Sequence, residues 1–179
     1  MHSERALLDY VHDDTLHYDS VSLPYSGYEH EMTIYLQHVG HGDRGSLIQL
    51  FHELARKNFI SNSSYSSVDL KLPKMIFSWK KSVVDALKLN RIFQKPNLDK
   101  MTSMTNLKVS DMIHATELEV DEKGTIATAT AAIEIMPESA FFDPGLEPIK
   151  FYVNRPFLMT IRHKPTQTIL FAGIIRKPI

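Results

Sequence analysis

The chain of 179 residues contains no cysteine, which removes disulfides, thiolate metal sites and cysteine nucleophiles together and leaves the redox compartment undetermined. A dominant sign of charge is also missing: 20 Lys and Arg stand against 21 Asp and Glu, for a net charge of −1. No global field therefore recruits nucleic acid or an anionic membrane, and neither is expected as a partner. No run approaches the roughly 20 apolar residues of a membrane span. Met1 to Tyr10 carries His, Glu, Arg and Asp where a secretory leader has a basic start and an apolar run, so no signal peptide is visible. There is no Gly-x-Ser-x-Gly turn, no Walker-type or dinucleotide glycine loop and no His-Glu-x-x-His helix, so an enzyme is not expected. Among nine histidines, the closest pairs are His38 with His41 and His12 with His17. Neither spacing matches a zinc motif, and no metal or cofactor is expected.

What is present describes a folded domain. The 43% hydrophobic and 23% charged content is that of a globular chain and argues against extensive disorder. One domain over 1–179 is the default at this length. Thr15 to Leu23 and Met32 to Gln37 read as a hairpin around Tyr25-Ser26-Gly27-Tyr28. Ser46, followed by Leu47, Ile48, Leu50, Phe51, Leu54 and Ala55, has helical spacing behind a plausible cap. The polar run Ser61 to Ser67 suits a surface connection, after which Val68, Leu70 and Leu72 alternate into Pro73. Val83, Val84, Leu87 and Leu89 predict a second helix with a left-handed cap at Asn90. Later strands are expected at Leu107 to Ile113, Thr116 to Val120, Ile149 to Val153, Phe157 to Arg162 and Thr168 to Ile174, with Lys164 to Gln167 as the last turn. The class is α+β, mostly antiparallel sheets with a few short helices.

One segment stands apart. From Thr125 to Ala131 every second residue is small and uncharged, so an extended conformation offers one face of hydroxyl and methyl groups able to slide under a packed layer. Gly124 and the alanines are poor strand formers, which suits a segment tolerated both outside a sheet and within one. Taken alone, the segment also reads as an ordinary Ala/Thr-rich strand or helix.

Its surroundings are more specific. Val120-Asp121-Glu122-Lys123-Gly124-Thr125 and the alanine run resemble the hinge of a serpin reactive-centre loop. Phe151 to Ile161 resembles the signature that follows that loop, and Thr168 to Gly173 resembles the closing strand of the family. Asn106 to His114 is similar to the strand leading into the hinge, and Ser22 to Tyr25 with Glu31 to Leu36 is similar to a family hairpin. The order of these segments is the family's. The resemblance runs from about Tyr10 to the end and covers the C-terminal half of a serpin, without the N-terminal half that carries most helices and several strands of the main sheet.

The resemblance implies a serine protease inhibitor that acts as a suicide substrate, with a reactive-centre loop at about 121–148 that inserts into a sheet after cleavage. The hinge would comprise Glu122, Gly124, Thr125, Ala127, Ala129 and Ala131; Ile126 stands where the family commonly has Glu. Counting from the hinge places the reactive bond between Glu138 and Ser139, with Phe141 and Phe142 as a rival site. At about 3.3 Å per residue, Glu122 to Glu138 would span on the order of 55 Å when extended. The target would be a chymotrypsin-like or a Glu-specific serine protease. His114 would be a buried structural histidine and not a catalytic one. The family implies the extracellular space, whereas the N-terminus, lacking a visible leader, leaves the cytoplasm as the alternative. Asn62-Ser63-Ser64 matches a glycosylation acceptor, meaningful only for a secreted chain. The other functional expectation is a truncated, non-inhibitory serpin-like binding module, with self-association through exposed sheet edges.

Overall fold

The computed structural model describes residues 2–40, 44–59, 63–88, 93, 100–101, 109–120 and 147–177. They form two compact units, one of residues 1–75 with 120–179 and a smaller one of 76–119. The larger unit is built on a seven-stranded sheet. Its strands are β1 (His2–Asp13), β2 (Tyr18–Pro24), β3 (His30–Gln37), β4 (Ser64–Lys71), β7 (Ile149–Tyr152), β8 (Phe157–His163) and β9 (Thr168–Ile175), in the order β7-β4-β1-β2-β3-β8-β9. Every pairing is antiparallel except β4 with β7. The smaller unit contains a two-stranded sheet of β5 (Met75–Ser82) and β6 (Ile113–Val120), and the short helix α2 (Val84–Leu87). The class is α+β, mostly antiparallel sheets with short helices, as the sequence suggested.

Sequence dictates the centre of the large sheet directly. In β2 the buried positions Tyr18, Ser20, Val21 and Leu23 nearly alternate, whereas β3 is buried from Glu31 through Gln37. A strand buried on both faces reads as continuous apolar residues, and Met32, Ile34, Tyr35 and Leu36 supply them. The helix α1 (Arg44–Arg56) covers one side. Its Leu50 and Leu54 pack with Val11, Tyr18, Tyr35, Phe59 and Leu158. The Tyr18 and Tyr35 rings meet edge-on at 5.7 Å, and Tyr35 lies 6.2 Å from Phe59, aromatic geometry that adds to burial. The β2–β3 turn falls where expected: Gly27 at φ +84° takes the left-handed conformation, and the Tyr28 amide donates to the Tyr25 carbonyl at 3.0 Å.

Several expectations are corrected. β1 escaped the sequence reading because its charged start masks the alternation of Ala6 and Leu8, and because a register shift between Ser3 and Ala6 breaks the period, with Arg5 at φ +54°. Ser64 to Ser67, expected in a surface connection, belong to β4 and pair with Tyr10 to Leu7 of β1. A hydrogen-bonding neighbour outweighs polar composition there. Helix α1 begins at Arg44, ahead of the predicted cap Ser46, whose hydroxyl instead accepts from Gln37 Nε2. The left-handed end of α2 falls on Lys88, at φ 52°, two residues before Asn90; Asn90 itself lies outside the described residues. Val109 to Met112 are not in a strand, and β6 runs unbroken from Ile113 to Val120.

Candidate functional site

The hinge residues Glu122, Gly124, Thr125, Ala127, Ala129 and Ala131, the bond between Glu138 and Ser139, and the rivals Phe141 and Phe142 all lie outside the described residues. The structure does describe the frame on either side, from β6 to Val120 and from Glu147 into β7.

The C-terminal side of that frame is clamped by five linked contacts. Ile149, Lys150, Phe151 and Tyr152 of β7 pair in parallel with Val68 to Lys71 of β4. The Tyr152 hydroxyl donates to Asp69 Oδ2, and His2 Nε2 lies 2.8 Å from Asp69 Oδ1. The hydrogen bond from Tyr152, with support from His2 and Lys71, holds the Asp69 carboxyl below the usual carboxylate range. Lys71 Nζ sits 4.3 Å from the Tyr152 ring centre, a cation–π contact. One residue on, the Val153 amide donates to the Lys71 carbonyl at 2.8 Å. Hydrogen bonds, charge and a cation–π contact therefore all fix where a chain entering β7 must dock.

Beyond β7, Arg155 Nε and Nη2 both donate to the Gln37 carbonyl, at 2.9 and 2.7 Å. Burial lowers the Arg155 guanidinium below its ordinary value, and the charge of Asp19 opposes that. The strand β8 then inserts beside β3, with Phe157 and Leu158 fully buried. Glu31 of β3, only 3% exposed, is held by Arg162 through Nε at 2.9 Å and through Nη2, while Lys164 Nζ stands 3.5 Å from its second oxygen. A carboxylate this deep is tolerated because two cations satisfy it, one of them a guanidinium that donates twice. The sequence reading gave no role to Glu31, Asp69, Arg155 or Arg162. Their partners are far away in the chain (Asp69 and Tyr152 are 83 residues apart, Glu31 and Arg162 are 131 apart), and sequence spacing carries no signal for such pairs.

His114, expected as a buried structural residue, is exposed on β6, its ring 5.4 Å from Trp79 and its Nδ1 3.4 Å from Thr116 Oγ1. Among the described residues its sheet has two strands, which leave an outward-facing ring without a covering layer. Among the described residues no helix is long and apolar enough to cross a membrane.

Comparison with known proteins bears on this frame directly. A family model described as "Serpin (serine protease inhibitor)" matches residues 1–178. The chain is 32% identical over 175 residues to Iripin-2 of Ixodes ricinus, covering 96% of this chain and 43% of the relative. It is 33% identical over 176 residues to an alpha-1-antitrypsin homolog of Cyprinus carpio, covering 94% and 44%. Among solved structures, a serpin from Schistosoma mansoni superimposes with a TM-score of 0.78 at 21% identity, covering all of this chain and 45% of the other. Maspin gives 0.77 at 20%, covering 99% and 47%. The chain thus spans less than half the length of the relatives it matches. With the family model matched over residues 1–178, the chain belongs to the serpin family.

Proposed function

We propose that this protein inhibits a serine endopeptidase as a suicide substrate, through a reactive-centre loop at about 121–148. The observation that carries the reading is the clamp on β7: the chain leaving the loop is fastened to β4 by the parallel pairing, Asp69 and Lys71. A bait held firmly at its C-terminal side and bearing a small-residue hinge at its N-terminal side can be cut without both ends drifting away. In the chemistry, the protease serine Oγ attacks the Glu138 carbonyl carbon, the Glu138–Ser139 bond breaks, and the Ser139 amine leaves. The acyl-enzyme is trapped if Thr125 to Ala131 enter a sheet faster than water arrives, with the freed strand energy driving the change. The protein is a substrate that retains its protease, and not a catalyst.

Glu138 favours a protease whose specificity pocket is basic, by charge complementarity, and Phe141 or Phe142 a chymotrypsin-like one. Sequencing the fragment released by each protease assigns the bond. A new N-terminus at Ser139 supports the count from the hinge. One at Phe142 or Asp143, produced by cleavage after Phe141 or Phe142, moves the bond downstream. Replacing Ala129 with Arg should turn the inhibitor into a plain substrate, because a charged side chain cannot enter the packed face. Equal trapping by Ala129→Arg would overturn the insertion step. By family likeness the site of action is the extracellular space.

A second reading, a non-inhibitory serpin-like binding module, has its own observation. The β5–β6 sheet exposes Ile76, Trp79 and Ile113, and exposed sheet edges favour pairing with another chain, a second copy included. Light scattering across a concentration series tests it. A mass that grows with concentration, together with clean cleavage and no adduct, favours this reading over inhibition.

A further inference from the structure

Outside the loop frame, the topology gathers residues far apart in sequence at one end of the β1–β2–β3 stretch. We propose that His12, Asp19 and His38 form a three-ligand site for a divalent transition cation of the zinc class. Ligand atoms of the three residues all lie within 4.8 Å of one another. His12 comes from the end of β1, Asp19 from the start of β2, and His38 from the residue after β3. Neither His12 with His17 nor His38 with His41, the pairs suggested by spacing, is the relevant set; the antiparallel register decides it, placing His12 directly opposite Asp19.

Three features distinguish this cluster from a chance meeting of surface histidines. The first is convergence on one atom: His12 Nδ1 lies 2.7 Å and His38 Nε2 3.3 Å from Asp19 Oδ1. In a tetrahedral site with bonds of about 2.1 Å, ligand atoms stand roughly 3.4 Å apart, so only small side-chain adjustments separate this cluster from ligation. The second is an unsatisfied nitrogen. His38 Nε2 is shielded from solvent and, among the described residues, makes no hydrogen bond of good geometry, its 3.3 Å approach to Asp19 Oδ1 being an ion-pair contact. Such a nitrogen is costly to leave unpaired, and a metal ion would satisfy it.

The third feature is the support behind the ligands. His12 Nε2 lies 3.1 Å from Asp14 Oδ1 and can keep its proton there, so that Nδ1, hydrogen-bonded to Asp19 Oδ1 at 2.7 Å in this structure, becomes the ligand nitrogen once a cation displaces its proton. This is the carboxylate–imidazole support common behind metal-binding histidines. The Tyr10 hydroxyl donates to Asp19 at 2.8 Å, orienting the carboxylate. His38 is placed by its own amide, which donates to the His17 carbonyl at 2.9 Å, and its ring stacks on His12 with centres 5.0 Å apart. Arg155, the cation whose charge Asp19 supports, is committed to the Gln37 carbonyl. Two imidazoles and one carboxylate select zinc, cobalt, nickel or copper over magnesium and calcium, and three protein ligands leave a fourth position for water or another donor. Bound there, the ion would tie the ends of three neighbouring strands together.

Titration calorimetry with zinc chloride at neutral pH tests the site on the whole chain. Binding of one ion is expected, with at least tenfold weaker affinity in His38→Ala and in Asp19→Asn, a smaller loss in Asp14→Asn, and no change in His30→Ala, which disrupts the separate ring pair of His30 and His163 at 5.0 Å. Because Asp19→Asn could unfold the strand end, a second measurement uses the unaltered protein: zinc should shift the imidazole NMR signals of His12 and His38 while leaving His114 in place. No binding up to about 100 µM zinc, unchanged affinity in His38→Ala, or zinc shifts confined to other histidines would overturn the proposal. Protease trapping is a separate readout, so its presence or absence leaves this test untouched.

Discussion

The two units of the molecule are made of similar strands and yet live in different surroundings. β3 and β6 are both eight residues long, but β3 is buried from its second residue to its last, whereas β6 is largely exposed and only Val120 at its end is buried. The difference is neighbours. β3 has a paired strand on each side and α1 packing over Tyr35; among the described residues β6 has β5 alone in its sheet. Strand-forming sequence therefore decides conformation in both units, while only the large one converts it into a closed core. A sheet two strands wide is marginal in water without something to pack on.

Five experiments sharpen or break this contrast. The largest effect should come from Phe157→Ala, which empties a fully buried position in β8 and is expected to cost about 3–5 kcal/mol in urea unfolding followed by circular dichroism. Arg162→Met comes next. It strands the buried Glu31 carboxylate, and a loss of about 3 kcal/mol is expected, the low end for a broken buried pair because Lys164 remains at 3.5 Å. A pH titration addresses the β7 clamp. The Asp69 carboxyl is held below its ordinary range in the folded chain, so its contribution is present above about pH 4, the unfolded value, and fades as pH falls through the still lower folded one. Protease resistance at Glu147 to Tyr152 should therefore drop in acid for the native chain and be flat with pH in Asp69→Asn. Last, Trp79→Ala in β5, where the indole is half exposed at 47%, should change the unfolding free energy of the large unit by less than about 0.5 kcal/mol. Amide exchange gives the contrast in one spectrum, slow through β3 and β8 and fast through β5 and β6; equal protection in both would erase it.

How much was legible in the sequence follows the same division. The hairpin of β2 and β3, the helix from Leu47 to Ala55 and the final strands were readable because each carries its own local period or turn residue, as Gly27 does. β1 was not, since a register shift and early charges hide its alternation, and its strand identity comes from two neighbours, β2 and β4. The serine run was misread for the complementary reason: Ser64 to Ser67 carry no apolar pattern and are strand only because β1 pairs with them. Family motifs pointed to the bait loop and to the strand after it, but not to the pairing of Asp69 with Tyr152 or of Glu31 with Arg162, partnerships that exist only once distant strands are side by side. The His12, Asp19 and His38 cluster is of this kind too. Histidine spacing suggested other pairs, and strand register chose this one. His114 shows the limit in the opposite direction, for an apolar strand sequence does not bury a residue when no layer covers it.

The central claim is that a serine protease cutting the loop stays attached to it. Intact-mass spectrometry after reaction with a Glu-specific serine endopeptidase tests this most directly. The account predicts one adduct, of the protease joined to residues 1–138, together with a free peptide beginning at Ser139. Two free fragments beside a fully active protease would contradict it.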